Sequence, residues 1–152
     1  MISIRRTNSE DNDFRQLVGQ LDKVLAELDG NEHAFYSQFN NIEEIKYAVV
    51  VYVDDIPVSC GAIKKFDTES MEVKRMFTLE AYRGRGLAGK VLEELERWTH
   101  DLSLTRCVLE TGKRQPDAIR LYEKNGYTRI TNYGQYIGVE NSICFEKKLN
   151  KI

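Results

Sequence analysis

The spacing of hydrophobic residues changes several times along the chain, and each change predicts a different element. Apolar and polar residues alternate over residues 2–4, which is typical of a short strand. Over residues 14–28 the apolar positions recur every three or four residues instead, as in a helix that buries one face. Ser9 or Asp11 is a candidate cap for this helix, and residues 29–30 are its candidate end.

The middle of the chain predicts three consecutive strands in an antiparallel meander. They are preceded by residues 31–45, whose mixed pattern indicates only a loop or a short helix. β-branched and apolar runs then indicate strands at residues 47–53, 58–66 and 71–79. The connections between these runs are rich in Asp, Ser and Thr, which are typical turn residues.

Beyond the meander, helices alternate with strands. A glycine-rich bend at residues 83–89 opens one helix, and Pro116 lies where the first turn of a second helix tolerates proline. Asn125-Gly126 ends that helix with a left-handed cap. The pattern therefore predicts a single α/β domain over residues 1–152. Its last three strands are expected at residues 106–111, 127–130 and 142–149.

Composition excludes several classes of protein. The 152 residues are 41% hydrophobic and 30% charged, which is typical of a folded domain and not of a disordered chain. Twenty-two Lys and Arg against 24 Asp and Glu give a net charge of −2. Such a balance argues against a surface that wraps nucleic acid or binds an anionic membrane, so we expect neither as a partner.

Cysteine and histidine usage predicts neither disulfides nor a metal. Cys60, Cys107 and Cys144 form no CxxC pair, and His33 and His100 are too scattered for a zinc cluster. No apolar run has the length of a membrane span or of a signal-peptide core. We therefore expect a cytoplasmic protein.

The glycine-rich bend carries the strongest chemical signal. A strand leads into small residues and a helix begins at once, so unpaired N–H groups and about +0.5 charge from the helix dipole form an anion site. Gly84 and Gly86 have no side chain that could block a phosphate, and Arg83, Arg85 and Lys90 add positive charge. A diphosphate suits this arrangement.

Two widespread phosphate-binding motifs fit the bend only in part. Gly84-x-Gly86-x-x-Gly89, with Glu110 about 20 residues farther on, matches the fingerprint of NAD(P)-binding oxidoreductases. That fingerprint should follow a buried apolar strand, whereas residues 71–79 are charged on one face. The P-loop motif fits poorly because it requires a hydroxyl for Mg²⁺ where this chain has Val91.

A third pattern, Arg/Gln-x-x-Gly-x-Gly/Ala, is satisfied by Arg83, Gly86 and Ala88. With it the chain resembles the GNAT superfamily of N-acetyltransferases, which bind acetyl-coenzyme A at such a bend. Residues 71–79 look like the central strand of that family, and residues 118–127 (AIRLYEKNGY) look like its A-I-x-L-Y-E-K-x-G-F signature.

The resemblance implies a fold and a co-substrate. The fold is an α/β domain (α+β in some schemes), with a central mixed, mostly antiparallel twisted sheet of six to seven strands flanked by about four helices. Acetyl-CoA is the implied co-substrate, and no metal is required. The resemblance also makes a homodimer possible. Two positions depart from the family: Gln115 replaces a frequent Asn, and Tyr127 replaces the usual Phe.

The cofactor-binding candidates also follow from the resemblance. The backbone of the central strand is expected to meet the thioester carbonyl and the pantetheine arm, and the bend is expected to hold the linked phosphates. The candidates are Met76, Phe77, Thr78, Arg83, Gly84, Arg85, Gly86, Leu87, Ala88 and Gln115.

Acetyl transfer to an amine requires a neutral amine and a protonated leaving group. An amine with a pKa near 10.4 is mostly charged at pH 7, and its deprotonation costs about 4–5 kcal/mol. Glu72 is the candidate base, since some family members place a catalytic glutamate at this distance before the bend; Glu72 could equally be an exposed strand residue paired with Lys74. Glu110 is the rival base.

Tyr122 is the candidate acid, because its phenol can give a proton to the departing sulfur. The alternative is that Tyr122 only packs in the core. Cys107 has no His or Asp partner placed to activate it and is expected to be a small core residue.

The acceptor is predicted as a small-molecule amine. Lys74, Arg75 and the aromatic loop at residues 133–136 are candidates for its pocket, and two cations would suit an amine that also carries a carboxylate. Two other functions stay open: an NAD(P)-binding oxidoreductase and a non-catalytic acyl-CoA-binding sensor.

Overall fold

The computed structural model describes residues 1–29 and 45–149. The predicted loop or short helix at residues 31–45 therefore lies almost wholly outside the described residues. Contacts divide the chain into two compact units. Unit 1 comprises Met1–Lys64 and Lys74–Leu95, and unit 2 comprises Lys65–Val73 and Glu96–Ile152.

Seven strands form one mixed sheet in the order β1-β2-β3-β4-β5-β7-β6. β1 pairs antiparallel with β2, β2 with β3, β5 with β7 and β6 with β7, whereas β4 pairs parallel with β5. This sheet confirms the expected fold class. The strands are β1 (Ile2–Thr7), β2 (Tyr47–Val53), β3 (Ile56–Lys65), β4 (Ser70–Thr78), β5 (Arg106–Gly112), β6 (Thr128–Ile130) and β7 (Ser142–Lys148).

Three α-helices lie within the described residues, where about four were expected for the whole chain. Asp11 caps the first of them, because its carboxylate accepts hydrogen bonds from the N–H groups of Asp13 and Phe14. The helices are α1 (Asn12–Asp29), α2 (Leu87–Asp101) and α3 (Pro116–Lys124).

The turn between β2 and β3 is tighter than the sequence suggests. Asp54 and Asp55 both adopt left-handed backbone conformations, with φ of 49° and 68°. A two-residue turn of this kind matches the twist of antiparallel strands and lets β3 begin at once. Pro57 therefore lies inside β3, beside a register shift between Val51 and Tyr52, and not in the turn.

Unit 1 has a core in which α1 packs on β2 and β3. The apolar stripe of α1 supplies the helix side of this core, which confirms the predicted amphipathic helix. The continuous apolar run of β2 supplies much of the sheet side. Its members are Phe14, Leu17, Val18, Leu21, Ile45, Ala48, Val50, Tyr52, Cys60, Ala62 and Phe77.

Unit 2 buries aromatic residues against β7. The ring of Tyr122 on α3 lies 6.1 Å from the ring of Phe145 on β7, and 5.9 Å from that of Tyr127 just after the helix. Gly126 adopts a φ of 91° and ends α3, as its sequence predicts. The helix is therefore anchored by its inner face.

Candidate active site

The bend after β4 is built by backbone conformation. A 3₁₀ turn at Glu80–Tyr82 follows the strand, and α2 begins at Leu87. Between them Gly84 and Gly86 have φ of 78° and 75°, in the left-handed region that side chains disfavour. A Cβ atom on either glycine would meet no atom within 4 Å, so the surface above them is open.

The amides of this bend are available to a ligand. The first helical bond runs from the Lys90 N–H to the Gly86 carbonyl. Within the described residues, the six N–H groups of residues 84–89 donate to no backbone carbonyl. Such a row of donors at the N-terminus of a 15-residue helix fits an anion, and it fits the linked phosphates of coenzyme A.

The side chains of two exposed arginines of this bend contact neighbouring residues. The Arg83 Nε donates to the Thr78 carbonyl oxygen at 3.0 Å, and its guanidinium lies 6.0 Å from the centre of the Phe77 ring. The Arg85 guanidinium stacks over the Tyr82 ring at 5.0 Å. Both positive charges are thereby kept next to the free amides.

β4 changes character halfway along its length. Its parallel pairing with β5 runs from Ser70 to Val73, and Arg75 then adopts a left-handed φ of 60° inside the strand. A left-handed residue of this kind ends regular pairing locally. The strand continues to Thr78 beyond this irregularity.

The side chains of the three β4 candidates pack within unit 1. A Cβ on Gly61 would clash with the Met76 sulfur, so Met76 lies tightly against β3. Phe77 belongs to the core, and the Thr78 hydroxyl hydrogen-bonds the Ser59 hydroxyl at 2.7 Å. The three side chains are therefore engaged within unit 1, and a contact of their backbone with the thioester arm stays a prediction.

Arg75, a candidate for the acceptor pocket, is engaged elsewhere in unit 1. Its side chain is only 4% exposed, and its Nη1 lies 2.6 Å from a carboxylate oxygen of Asp22 on α1. The Arg75 carbonyl also accepts a hydrogen bond from the Cys60 thiol at 3.4 Å. Its charge therefore stabilises the packing of α1 on β4.

In unit 2, the candidate base meets the aromatic loop. Glu72 is buried on β4, and its Oε2 accepts a hydrogen bond of 2.6 Å from the Tyr133 hydroxyl. Burial and the negative charge of Glu72 raise the pKa of Tyr133. Glu72 is thus not the exposed strand residue of the alternative interpretation.

A second carboxylate lies close to the same group of phenols. The Glu110 Oε2 on β5 accepts a hydrogen bond of 2.7 Å from the Ser142 hydroxyl on β7. After burial, the charges of Glu110 and then Glu72 raise the pKa of Tyr136, which is 3% exposed. Unit 2 therefore gathers two carboxylates and several protonated phenols.

Tyr122, the candidate acid, is buried by its ring neighbours. Burial and then the charge of Glu110 raise the pKa of its phenol, so the hydroxyl keeps its proton at neutral pH. Within residues 1–29 and 45–149, that hydroxyl makes no side-chain hydrogen bond. It is a proton donor without a described acceptor.

Gln115 lies at the start of α3. Its N–H donates to the Gly112 carbonyl at 3.0 Å, and its carbonyl accepts from the Ile119 N–H. The side chain makes no capping hydrogen bond, so it does not serve the helix start. Gln115 stays a predicted cofactor contact.

Cys107 lies in the core, as predicted. The residue is fully buried, and burial raises the pKa of its thiol to about 11. Among the described residues there is also no group of three or more His, Cys, Asp and Glu that could hold a metal ion. In the same part of the chain no helix is long and apolar enough to cross a membrane.

Comparison with known proteins decides the family. Residues 14–127 match the model of the acetyltransferase (GNAT) family. The chain belongs to this family. The family assignment confirms the resemblance read from the bend and the 118–127 signature, and it decides against the NAD(P)-binding oxidoreductase.

Individual GNAT relatives span nearly the whole chain. An IAA acetyltransferase from Azospirillum brasilense is 32% identical over 152 residues, which are 97% of this chain and 98% of that protein. A crystal structure from Klebsiella pneumoniae, provisionally assigned as an acyl-CoA N-acyltransferase, has 28% identity, a TM-score of 0.83 and 99% coverage of both chains. The PaiA N-acetyltransferase from Thermoplasma acidophilum, solved with coenzyme A, shares the fold at 16% identity, a TM-score of 0.72, and coverage of 97% of this chain and 99% of that chain.

Sequence reasoning missed two side-chain partners in this GNAT enzyme. The sequence indicates the loop at residues 133–136 only as a candidate for the acceptor pocket, and the hydrogen bond of Tyr133 to Glu72 joins residues 61 positions apart. The sequence predicts Ser142 only as the start of a strand, whereas its hydroxyl donates a hydrogen bond to the Glu110 carboxylate. No local spacing signals either pair, because both depend on the sheet topology.

Proposed function

We propose that this GNAT enzyme transfers the acetyl group of acetyl-CoA to the primary amine of a small molecule, by direct attack in a ternary complex. The observation that carries the proposal is the row of N–H groups at residues 84–89, which donate to no backbone carbonyl in the described chain. Family membership supports acetyl-CoA as the donor.

The bend has the role of binding the diphosphate. Its amides supply directed donors, and the left-handed Gly84 and Gly86 keep the approach open. Arg83 and Arg85 add positive charge without occupying that approach, since both are held by contacts to neighbouring residues. The backbone of Met76, Phe77 and Thr78 is assigned to the thioester arm, where N–H groups can stabilise the oxyanion.

Glu72 has the role of the base. The reaction needs a neutral amine, and a buried carboxylate fixed by a hydrogen bond is well placed to accept the ammonium proton directly or through one water. Glu110 is held in the same manner by Ser142, and it remains the rival.

Tyr122 has the role of the acid. When the amine nitrogen bonds to the carbonyl carbon, the carbon–sulfur bond breaks and its electron pair leaves on the thiolate. The Tyr122 phenol gives its proton to that sulfur. The nitrogen still carries two protons after it bonds to the carbonyl carbon, and it returns one of them, directly or through water, to the Tyr122 phenolate. The products are the acetylated amine and free coenzyme A, with Tyr122 protonated again and the first amine proton left on Glu72.

The acceptor class is proposed from the chemistry of unit 2. The buried carboxylate of Glu72, the half-buried one of Glu110 and the aromatic rings suit a positively charged amine before its proton is removed. The A. brasilense relative is named for acetylation of IAA, so IAA belongs in any acceptor panel.

A thiol-release assay tests the proposal. The purified enzyme is given acetyl-CoA and a panel of diamines, amino acids, aromatic amines and IAA. We expect coenzyme A to be released with at least one small amine. If no member is acetylated while acetyl-CoA binds, the non-catalytic sensor replaces this proposal.

The same assay tests the base. Replacing Glu72 with Gln should lower kcat by about 10²–10⁴ while the KM for acetyl-CoA stays unchanged. Glu69→Gln is the matched control, since Glu69 is exposed on the turn just before β4 and should keep full turnover.

A further inference from the structure

Tyr133 lies in the β6–β7 loop and has no role in the acetyl-transfer steps proposed above. The loop joins β6 to β7 and contains a 3₁₀ turn at Gly134–Tyr136. The Tyr133 hydroxyl reaches the Glu72 Oε2 on β4 at 2.6 Å, which is the usual length of a charge-assisted hydrogen bond between a hydroxyl and a carboxylate.

Two aromatic contacts hold the Tyr133 ring. The Phe66 ring packs edge-on at 4.7 Å between centroids, and the Tyr136 ring packs edge-on at 5.9 Å. A phenol fixed in this manner can hold its partner in one orientation.

The direction of the hydrogen bond is set by charge. Burial, the negative charge of Glu72 and the bond itself all raise the pKa of Tyr133. The phenol therefore keeps its proton over the working range of pH and donates to the carboxylate.

We propose that Tyr133 is the positioning residue for the base: it holds one oxygen of Glu72 and so fixes the plane in which the carboxylate meets the amine proton. The proposal rests on the proposed function of Glu72. It assigns to Tyr133 no contact with acetyl-CoA and no proton transfer of its own.

Kinetics of Tyr133→Phe test this role. The ring and its packing are kept, and only the hydroxyl is lost. We expect kcat to fall about 10–100-fold, which is the effect of losing one hydrogen bond to a charged group, with the KM for acetyl-CoA unchanged.

A double-mutant cycle tests whether Tyr133 acts through Glu72. In the Glu72→Gln background, Tyr133→Phe should lower kcat by less than about twofold, because the carboxylate that it positions is already absent. Equal losses in both backgrounds would contradict the positioning role.

Tyr127→Phe is a matched control in the same unit. The Tyr127 hydroxyl donates to the Glu96 carboxylate at 3.0 Å, so this variant also removes a phenol–carboxylate bond. Its kcat should stay within about twofold of the parent.

Phe66→Leu tests the packing of the Tyr133 ring. This variant loosens the ring but keeps its hydroxyl, so it should lower kcat less than Tyr133→Phe does.

The outcomes separate the two proposals. If Glu72→Gln is slow and Tyr133→Phe is as fast as the parent, the positioning role is wrong and the base stands. If Glu72→Gln keeps full turnover, the assignment of the base is wrong and the positioning role is wrong with it.

Discussion

The proposed phosphate site after β4 and the proposed acid–base group of unit 2 are built from different parts of the chain. In the bend, the chemistry comes from consecutive backbone N–H groups over residues 84–89, and the side chains only add charge. In unit 2, the proposed chemistry depends on side chains of β4, β5, α3 and the β6–β7 loop, which are Glu72, Glu110, Tyr122 and Tyr133.

This difference predicts different responses to substitution. A backbone site should tolerate the loss of single charged side chains but not a change at its left-handed glycines. A side-chain site should lose activity when one functional group is removed, although the fold and the affinity for acetyl-CoA are kept. Each prediction below tests one side of that contrast.

The largest effect is expected at Tyr122. Tyr122→Phe keeps the ring contacts to Tyr127 and Phe145, so the enzyme should fold and bind acetyl-CoA normally. Its kcat should fall about 10²–10⁴-fold, because the leaving thiolate loses its proton donor. Steady-state kinetics and the thermal unfolding midpoint measure both halves of this prediction.

The dependence of kcat on pH also tests the role of Tyr122 as the acid. A raised phenol pKa means that Tyr122 holds its proton to a higher pH than a free tyrosine does. Turnover should therefore show no loss attributable to this group up to about pH 10. A Tyr122→Phe enzyme with the turnover of the parent would leave Tyr122 as a core residue only.

A smaller effect is expected from the arginines of the bend. Arg83→Gln and Arg85→Gln should each weaken the binding of coenzyme A only about two- to fivefold, because both guanidiniums are exposed and screened. The loss should shrink as salt is added. Arg129→Gln, on β6 and also exposed, is the control and should not change the affinity measured by calorimetry.

A 100-fold loss of affinity for coenzyme A at either arginine would contradict the view that the bend binds through its backbone. The bend would then depend on its side chains as strongly as unit 2 does. Calorimetry at two salt concentrations distinguishes a screened charge from a specific contact.

The same contrast explains what could be predicted from the sequence. The bend is local: glycine spacing and the start of a helix are visible in nine residues, and the structure gives Gly84 and Gly86 the left-handed conformation that this spacing needs. The bounds predicted for the later strands agree with the structure within about two residues, because each strand depends on its own hydrophobic pattern, whereas β1 extends three residues past the predicted residues 2–4.

The partners in unit 2 were not predictable, because they meet only after the sheet has formed. Glu72 lies on β4 and Tyr133 lies in the loop between β6 and β7, which are distant in sequence. No local pattern predicts that the two side chains meet. Arg75 shows the opposite error: its charge suggested an acceptor contact, whereas the structure places it on Asp22.

The smallest effect is expected at the cysteines. Burial raises the thiol pKa of Cys60 to about 12 and those of Cys107 and Cys144 to about 11. At pH 8 a thiol whose pKa is three units higher is only about 0.1% thiolate, so a thiol reagent should not label the folded enzyme within minutes. Three thiols should react after denaturation.

Rapid labelling of the folded enzyme would contradict the burial of these residues. The prediction also has a practical use, since the enzyme's own thiols should not contribute to the thiol-release assay.

The central claim is that the bend binds the linked phosphates of coenzyme A through its backbone. Calorimetry of coenzyme A with Gly86→Asp and Gly138→Asp tests it most directly, because the two glycines have similar left-handed φ of 75° and 79° and a Cβ on either would meet no atom within 4 Å. We predict that Gly86→Asp weakens binding about 10–100-fold or more, through backbone strain and a carboxylate facing the phosphates, while Gly138→Asp leaves the affinity unchanged. Equal affinity in the two variants would contradict the account.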